Sequence, residues 1–243
     1  MSTSNVESPR VVSRGEWLEQ RKALLAKEKE FTRLGDRLAA EKRTLPWVRV
    51  DKNYVFDGPE GKETLAQLFG DKSQLLVYHF MFGPDWEQGC PTCSMVGDNI
   101  DPNVIHLAHR DVNLVVVARA PLAKINDFKK RMGWRFKWVS AFANDFNHDY
   151  AVSFKAEEMK GKFYNFGTGE FPGEEAPGLS VFYKDSAGNV FHTYSSYARG
   201  PEFLVGAYNY LDLVPKGRDE AALPFTMAWV RHHDRYENKP TVS

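Results

Sequence analysis

Hydrophobic positions along the chain fall into two rhythms. Between residues 15 and 43 they recur at helical spacing: Trp17, Leu24, Phe31 and Leu38 stand seven apart, with Leu18, Leu25 and Leu34 beside them. Arg21, Lys22, Lys27, Glu28, Lys29, Glu30 and Arg33 fill the other face. This predicts one amphipathic helix. Packing of its apolar face on the rest of the protein is the simpler expectation. The four heptad-spaced positions also suit a dimerisation arm. Beyond residue 45 the rhythm shortens. Val48, Val50, Val55 and Phe56 read as strand pieces, followed by a turn at residues 57–61 and a turn or two of helix at 64–69. The unbroken apolar runs at 75–82 and 112–118 predict strands covered on both faces, as in a parallel sheet.

Residues 122–132 return to helical spacing, with Leu122, Ile125, Phe128 and Met132 on one face. Phe136, Trp138 and Val139 suggest a short strand, and residues 144–152 another short element. Residues 155–178 lack periodicity, and a stretch of that length is expected to be functional or mobile. Residues 179–183 and 190–194 flank a turn at 185–189 and predict a hairpin. A helix follows at 201–212, then a short one near 225–236. The order strand–helix–strand–helix, an excursion, then strand–strand–helix implies an α/β fold, a mixed sheet with helices on both faces. Three regions are expected: an N-terminal helical arm over 1–45 whose first 14 residues are polar and frayed, a main domain over 46–214, and a C-terminal extension over 215–243.

Composition narrows the function. Of 243 residues, 42% are hydrophobic and 26% charged, the balance of an ordinary globular protein. The 32 basic and 32 acidic residues cancel, so no bulk charge draws the chain to nucleic acid or an anionic membrane. No apolar run approaches the ~20 residues that span a bilayer. The opening residues lack the layout of a signal peptide, so the cytoplasm is the expected location. Structural disulfides are rare there. The only two cysteines, Cys90 and Cys93, lie two residues apart, which favours catalysis or metal binding over a structural staple.

Proline is favoured as the first residue of a helix. With Pro91 in that place, Cys90 becomes the N-cap. Its sulfur faces free backbone N–H groups and the positive end of the helix dipole, both of which favour thiolate. Cys93 lies one turn deeper. Cys90 is therefore the expected nucleophile and Cys93 the resolving thiol. Asp85 and Glu87 in the approach loop oppose this, and no Lys or Arg stands between Lys72 and Arg110. Arg119, Arg199 and His192 are candidates to supply positive charge from elsewhere. His79, inside a buried strand, is a satisfied core histidine or a base. Trp86 is placed to line the substrate face. A zinc site needs four ligands. No second cysteine pair exists, and the adjacent His232 and His233 would diverge on a helix, so no metal or other cofactor is expected.

The strand–loop–CPTC–helix unit, the strand at 112–118 and the stretch Ala176-Pro177-Gly178-Leu179-Ser180-Val181-Phe182-Tyr183 resemble the thioredoxin superfamily across roughly residues 50–213. The resemblance implies a thioredoxin-like fold. It also implies that Pro177, at the position of the family's cis-proline, sits beside Cys90 and helps form the substrate groove, with Pro91 and Trp86. Residues 122–152 resemble peroxiredoxins. The catalytic loop departs from them: Glu87 stands where a threonine is expected three residues before the peroxidatic cysteine, and Pro84 is one residue out of place. It departs from thioredoxin too, in a longer loop over 83–89 and in having Tyr78 and His79 where a buried carboxylate is expected. Over its whole length, including RGEWLEQRKALLAKEKEFTRL, LPWVRV, YHFMFGPDWEQGCPTCS, RAPLAKINDFKKRMGW, YSSYARG and WVRHHDRY, the chain is identified as a member of a thioredoxin-like family. That family is catalogued as a domain of unknown function and labelled predicted dithiol-disulfide oxidoreductase.

The expected function is thiol–disulfide exchange through Cys90 and Cys93. The alternatives are a peroxiredoxin-like thiol peroxidase and a non-enzymatic redox-sensing or interaction protein. The expected partners are a thiol or disulfide substrate, proteins included, and a reductant that recycles the pair. A second copy of the chain, bound through the N-terminal helix, is the alternative to packing of that helix on the body.

Overall fold

In the computed structural model, which describes residues 9–159, 161, 163–168 and 171–237, helix α1 (Arg14–Lys42) starts at a side-chain cap. The Ser13 hydroxyl accepts the Glu16 N–H at 3.2 Å. Most of the frayed start expected over residues 1–14 lies outside the described residues. The expected packing of α1 on the body is not what the fold adopts: none of its residues is buried. Trp17, Leu24, Phe31 and Leu38 are all exposed, Phe31 to 77%. Local terms hold the helix. Its 29 residues exceed the length at which isolated helices are marginal, and good helix formers fill it. Lys22 pairs with Glu19 at 2.9 Å and Arg21 with Glu28 at 2.8 Å.

The rest of the chain builds an eight-stranded mixed sheet from β1 (Val48–Arg49), β2 (Val55–Gly58), β3 (Gly61–Thr64), β4 (Gln74–His79), β5 (Val112–Ala118), β6 (Lys137–Ser140), β7 (Gly178–Lys184) and β8 (Val190–Tyr197). Their order is β1-β8-β7-β4-β5-β6-β2-β3. The β4–β5 and β5–β6 pairs are parallel, and the other neighbours are antiparallel. Two consecutive strands, β1 and β2, thus stand six places apart. A flat sheet would separate them by ~29 Å at ~4.8 Å per strand. The link from Arg49 to Val55 can span only ~21 Å. The sheet must curl to bring these strands together, and the short strand pieces seen in the sequence are what guard its two sides.

The parallel strands are connected through helices. Helix α2 (Pro91–Ile100), a 3-10 turn at Asp101–Asn103 and α3 (Val104–Ala108) join β4 to β5; α4 (Leu122–Met132) joins β5 to β6; α5 (Phe146–Asp149) and α6 (Gly206–Leu211) complete the helices. Strands β5 and β4 alternate between two cores. Tyr78, Phe80, Leu114, Val116 and Ala118 face the side of α2, α4 and α6. Leu75, Val77, Val115 and Val117 face the opposite side, with Phe56, Phe69, Phe146 and Phe182. This double burial explains the continuous apolar runs. Phe80, Phe128, Trp134 and Trp138 pack edge-on or tilted under α2, with Phe80 and Trp138 4.6 Å apart. Gly97 lets α2 lie on this cluster, since a Cβ there would stand 2.9 Å from the Trp134 ring.

Three elements differ from expectation. Strand β4 ends at His79 rather than residue 82, because its partner β7 begins opposite, at Gly178. Phe80 and Phe82 still run alongside β5: the Phe80 N–H donates to Val117 O at 2.9 Å and the Ala120 N–H to Phe82 O at 2.7 Å. The single helix expected at 201–212 is broken at Val205 (ψ 77°), whose side chain is drawn into the core. The helix expected near 225–236 does not form; the segment is a series of turns. Glu220 Oε1 accepts from the Met227 N–H (3.0 Å), Trp229 Nε1 (2.6 Å) and Tyr208 Oη (2.7 Å), replacing helical partners with one carboxylate. No described helix is long and apolar enough to cross a membrane.

Candidate functional site

The extended segment after β4 turns at residues 83–89 and delivers Cys90 to the start of α2. The Cys90 N–H donates to Met81 O at 3.0 Å, and Pro91 occupies the first turn. Cys90 is half-buried and Cys93 buried, both as free thiols. The Thr92 hydroxyl lies 3.0 Å from Cys90 Sγ. The Cys90 thiol is pulled down to about 6. A hydrogen bond from Cys93 outweighs the upward push of burial, and the Thr92 hydroxyl and the backbone N–H groups of Cys93 and Thr92 add to it. Burial pushes the Cys93 thiol up, and the neighbouring Cys90 sulfur reinforces the rise. The Tyr78 hydroxyl, in the same buried cluster, favours the Cys93 thiolate and works against that rise. One thiol is thus set to ionise at neutral pH while the other keeps its proton.

The approach loop is fixed from two directions. Helix α4 supplies Lys124, whose Nζ donates to the carbonyls of Pro84 (3.0 Å) and Trp86 (3.2 Å), and Arg131, whose Nη1 donates to Gln88 Oε1 at 2.9 Å. From the C-terminal segment comes His232, with Nε2 2.8 Å from Gly89 O and Nδ1 2.7 Å from Arg131 Nη2. The carbonyl can only accept and the guanidinium only donate, so His232 is the Nε2–H tautomer. Gly89 packs so closely that a Cβ would lie 2.7 Å from Phe80 and 2.9 Å from Phe128.

Cavities open on both sides of the dithiol. A cavity of about 420 Å³ is lined by Trp86, Cys90 and Pro91 together with Arg231, His232 and Arg235. A smaller one of about 130 Å³ is lined by Thr92, Cys93, Tyr78, Pro177 and Arg199 among others. Of the residues singled out in the sequence, Trp86 and Pro91 therefore stand with Cys90, and Pro177 and Arg199 with Cys93. The cis bond suggested for Pro177 is not adopted: no described peptide bond is cis. The carbonyl of Pro177 accepts the Tyr164 hydroxyl at 2.9 Å, in the trans form that is intrinsically favoured.

Arg199 is bound to Glu202 at 2.9 Å. Arg119 is bound to the buried Glu175 at 3.0 Å and lines neither cavity. His79 lies on the other face of β4 from Tyr78. Its ring is held by Asn147 (3.1 Å) and Ser180 (2.9 Å), and burial lowers its pKa to about 4, so it is a neutral, satisfied core histidine. His192 lies on β8, its Nε2 2.7 Å from Ser195 Oγ. His232 and His233 lie outside any helix, contrary to expectation; the first is held by Gly89 O and Arg131, and the second reaches Asp98 at 2.7 Å. Among the described residues no three His, Cys, Asp or Glu side chains cluster in a way that could hold a metal.

Sequence reading missed Thr92, Tyr78, Lys124, Arg131 and His232. The seven-residue spacing of Lys124 and Arg131, beside the buried stripe of α4, was the one available signal. The contacts of His232 join segments more than a hundred residues apart and leave no local trace.

A central β5-β4-β7-β8 order, a dithiol at the N-terminus of the helix after β4, and helices on both faces define a thioredoxin-like protein. Within that class, the chain belongs to the family described as "Bacterial protein of unknown function (DUF899)", whose model matches residues 6–236. No curated protein matches it in sequence. Similar solved structures include the peroxidoxin BcpB of Mycobacterium tuberculosis, with 10% identity over 67% of this chain and 94% of that one (TM-score 0.44). Another is peroxiredoxin Q of Xanthomonas campestris, with 14% identity over 72% and 99% (TM-score 0.45). A third is a candidate thiol:disulfide interchange protein, DsbE, of Chlorobium tepidum, with 12% identity over 68% and 95% (TM-score 0.42).

Proposed function

We propose that the protein is a thiol–disulfide oxidoreductase. The observation that carries this reading is the unequal setting of its two sulfurs. Cys90 is half-exposed at a helix N-cap, with hydrogen-bond donors around it, while Cys93 is buried one turn below against Tyr78. The Cys90 thiolate attacks a substrate disulfide, forming a mixed disulfide and expelling one thiolate. Cys93 gives up its proton as it attacks Cys90, expels the second thiol and leaves a Cys90–Cys93 disulfide. Tyr78 is a positioning residue for Cys93. A reducing thiol partner returns the pair to the dithiol.

The cytoplasm, where thiols are kept reduced, suits this cycle. The unburied face of α1 suits self-association of two copies. In the test, Cys90→Ser abolishes disulfide reduction by the pre-reduced protein, while Cys93→Ser accumulates the mixed disulfide, read by mass spectrometry. Full activity in Cys90→Ser would sink the mechanism. Fast, stoichiometric consumption of hydroperoxide with no disulfide exchange would assign the pair to peroxide reduction instead, through a Cys90 sulfenic acid.

A further inference from the structure

The two cavities beside the dithiol differ in charge and size, and the difference bears on the substrate. The one at Cys93 is small and walled largely by Tyr78, Val96, Val205, Tyr208 and Met227. The one at Cys90, about 420 Å³, falls in the range of small-molecule sites. Its wall beside the reactive sulfur carries two guanidinium groups, Arg231 and Arg235, and no carboxylate. Arg231 Nη1 donates to the carbonyls of Ala228 and Val230, both at 2.9 Å, which places the cation without neutralising it. Among the described residues neither arginine forms an ion pair. The acids nearby are engaged elsewhere: Asp234 with Arg131 at 3.3 Å, and Asp98 with His233 at 2.7 Å. Asp85 and Glu87, in the approach loop, are exposed and outside the lining. Trp86 adds apolar surface to the same lining.

Resting on the exchange reading above, we infer that the Cys90 cavity takes a small disulfide that carries carboxylates. Its methylenes would lie on Trp86, and its carboxylates would meet Arg231 and Arg235, whose planar donors match that group. The reaction is balanced within the pair. One substrate sulfur bonds to Cys90 as the S–S bond breaks, and the second leaves as thiolate and is protonated. Cys93 then displaces the first, so the substrate gains two electrons and the dithiol loses them.

A charge series tests this. Pre-reduced full-length protein is mixed with dithiodipropionate (anionic), hydroxyethyl disulfide (neutral) or cystamine (cationic), and single-turnover disulfide formation is followed. The expected order is anionic, neutral, cationic, with at least about tenfold between the ends at low salt. The spread shrinks in about 0.5 M salt. Arg231→Gln with Arg235→Gln brings the ends to within about threefold, the loss expected when a steering charge is removed. Thiolate absorbance of Cys90 is titrated in the same variant. An unmoved midpoint with a flattened series supports the site, whereas a midpoint shift large enough to explain the flattening overturns it. A flat or reversed series in the unmodified protein overturns the inference and leaves the exchange reading standing. No reaction with any of the three overturns the exchange reading itself.

Discussion

Helices α1 and α2 are stabilised in opposite ways. The first has 29 residues, a side-chain cap, ion pairs along its surface and no buried residue. The second has ten residues, two of them glycine or proline, and half of its positions are buried. Local terms are sufficient for α1, which is why its limits were legible but its surroundings were not. Packing holds α2, and that packing is also what presents Cys90 at its N-terminus. An apolar stripe in a sequence reports helix formation and a surface that can be covered. It does not report what covers it.

Substitutions can break this contrast, beginning where the effect is greatest. Ile100→Ala, at the buried end of α2, is expected to cost about 2–5 kcal/mol in urea unfolding, because Ile100 is only 2% exposed. A loss under 1 kcal/mol would mean that packing does not hold α2. His232→Ala leaves the buried Gly89 carbonyl and Arg131 short of a partner. It is expected to cost about 1–3 kcal/mol and to slow disulfide exchange by loosening the loop before Cys90.

Thr92→Val removes a donor from the Cys90 sulfur, so the midpoint of its alkylation rate should rise from about 6 toward the ordinary thiol value. The sign follows from ionisation. Only thiolate reacts, so the unmodified protein's rate climbs through about pH 6 and is flat above it. The lowered pKa also stabilises the reduced fold above the unfolded thiol's value of about 8.5. That contribution is lost as pH falls through about 6.

The smallest effect belongs to the arm. Leu24→Ala, or removal of residues 1–43, should move the unfolding free energy of the body by no more than about 0.5 kcal/mol. Light scattering on the same samples reads self-association: loss of a dimer on removal of the arm supports pairing through α1, and an unchanged number of copies per particle excludes it.

The fold was legible where periodicity and burial coincide. The limits of β5 and α4 match the apolar run at 112–118 and the helical spacing at 122–132 without adjustment. The hairpin of β7 and β8 announced itself through its turn. The reading failed where apolar residues were counted without their partners. Residues 225–236 carry Met227, Trp229 and Val230 at tempting spacing, yet a single carboxylate, Glu220, organises them into turns. At the site, the dithiol and its helix could be read from Cys90-Pro91-Thr92-Cys93. The arginines and the histidine around it could not, since they arrive from α4 and the end of the chain.

The pairing of β1 with β8 has a consequence for how the protein is made. Val48 is among the first strand residues to leave the ribosome, and its partner His192 follows well over a hundred positions later. At ~5–20 residues per second, that is a wait on the order of ten seconds. Helix α1, needing no tertiary partner, can form in about a microsecond. For most of synthesis the nascent chain therefore displays a finished apolar stripe beside an unfinished sheet. Closing the sheet pairs the waiting strand edges but leaves the stripe as exposed as before, because no residue of α1 is buried in the folded chain.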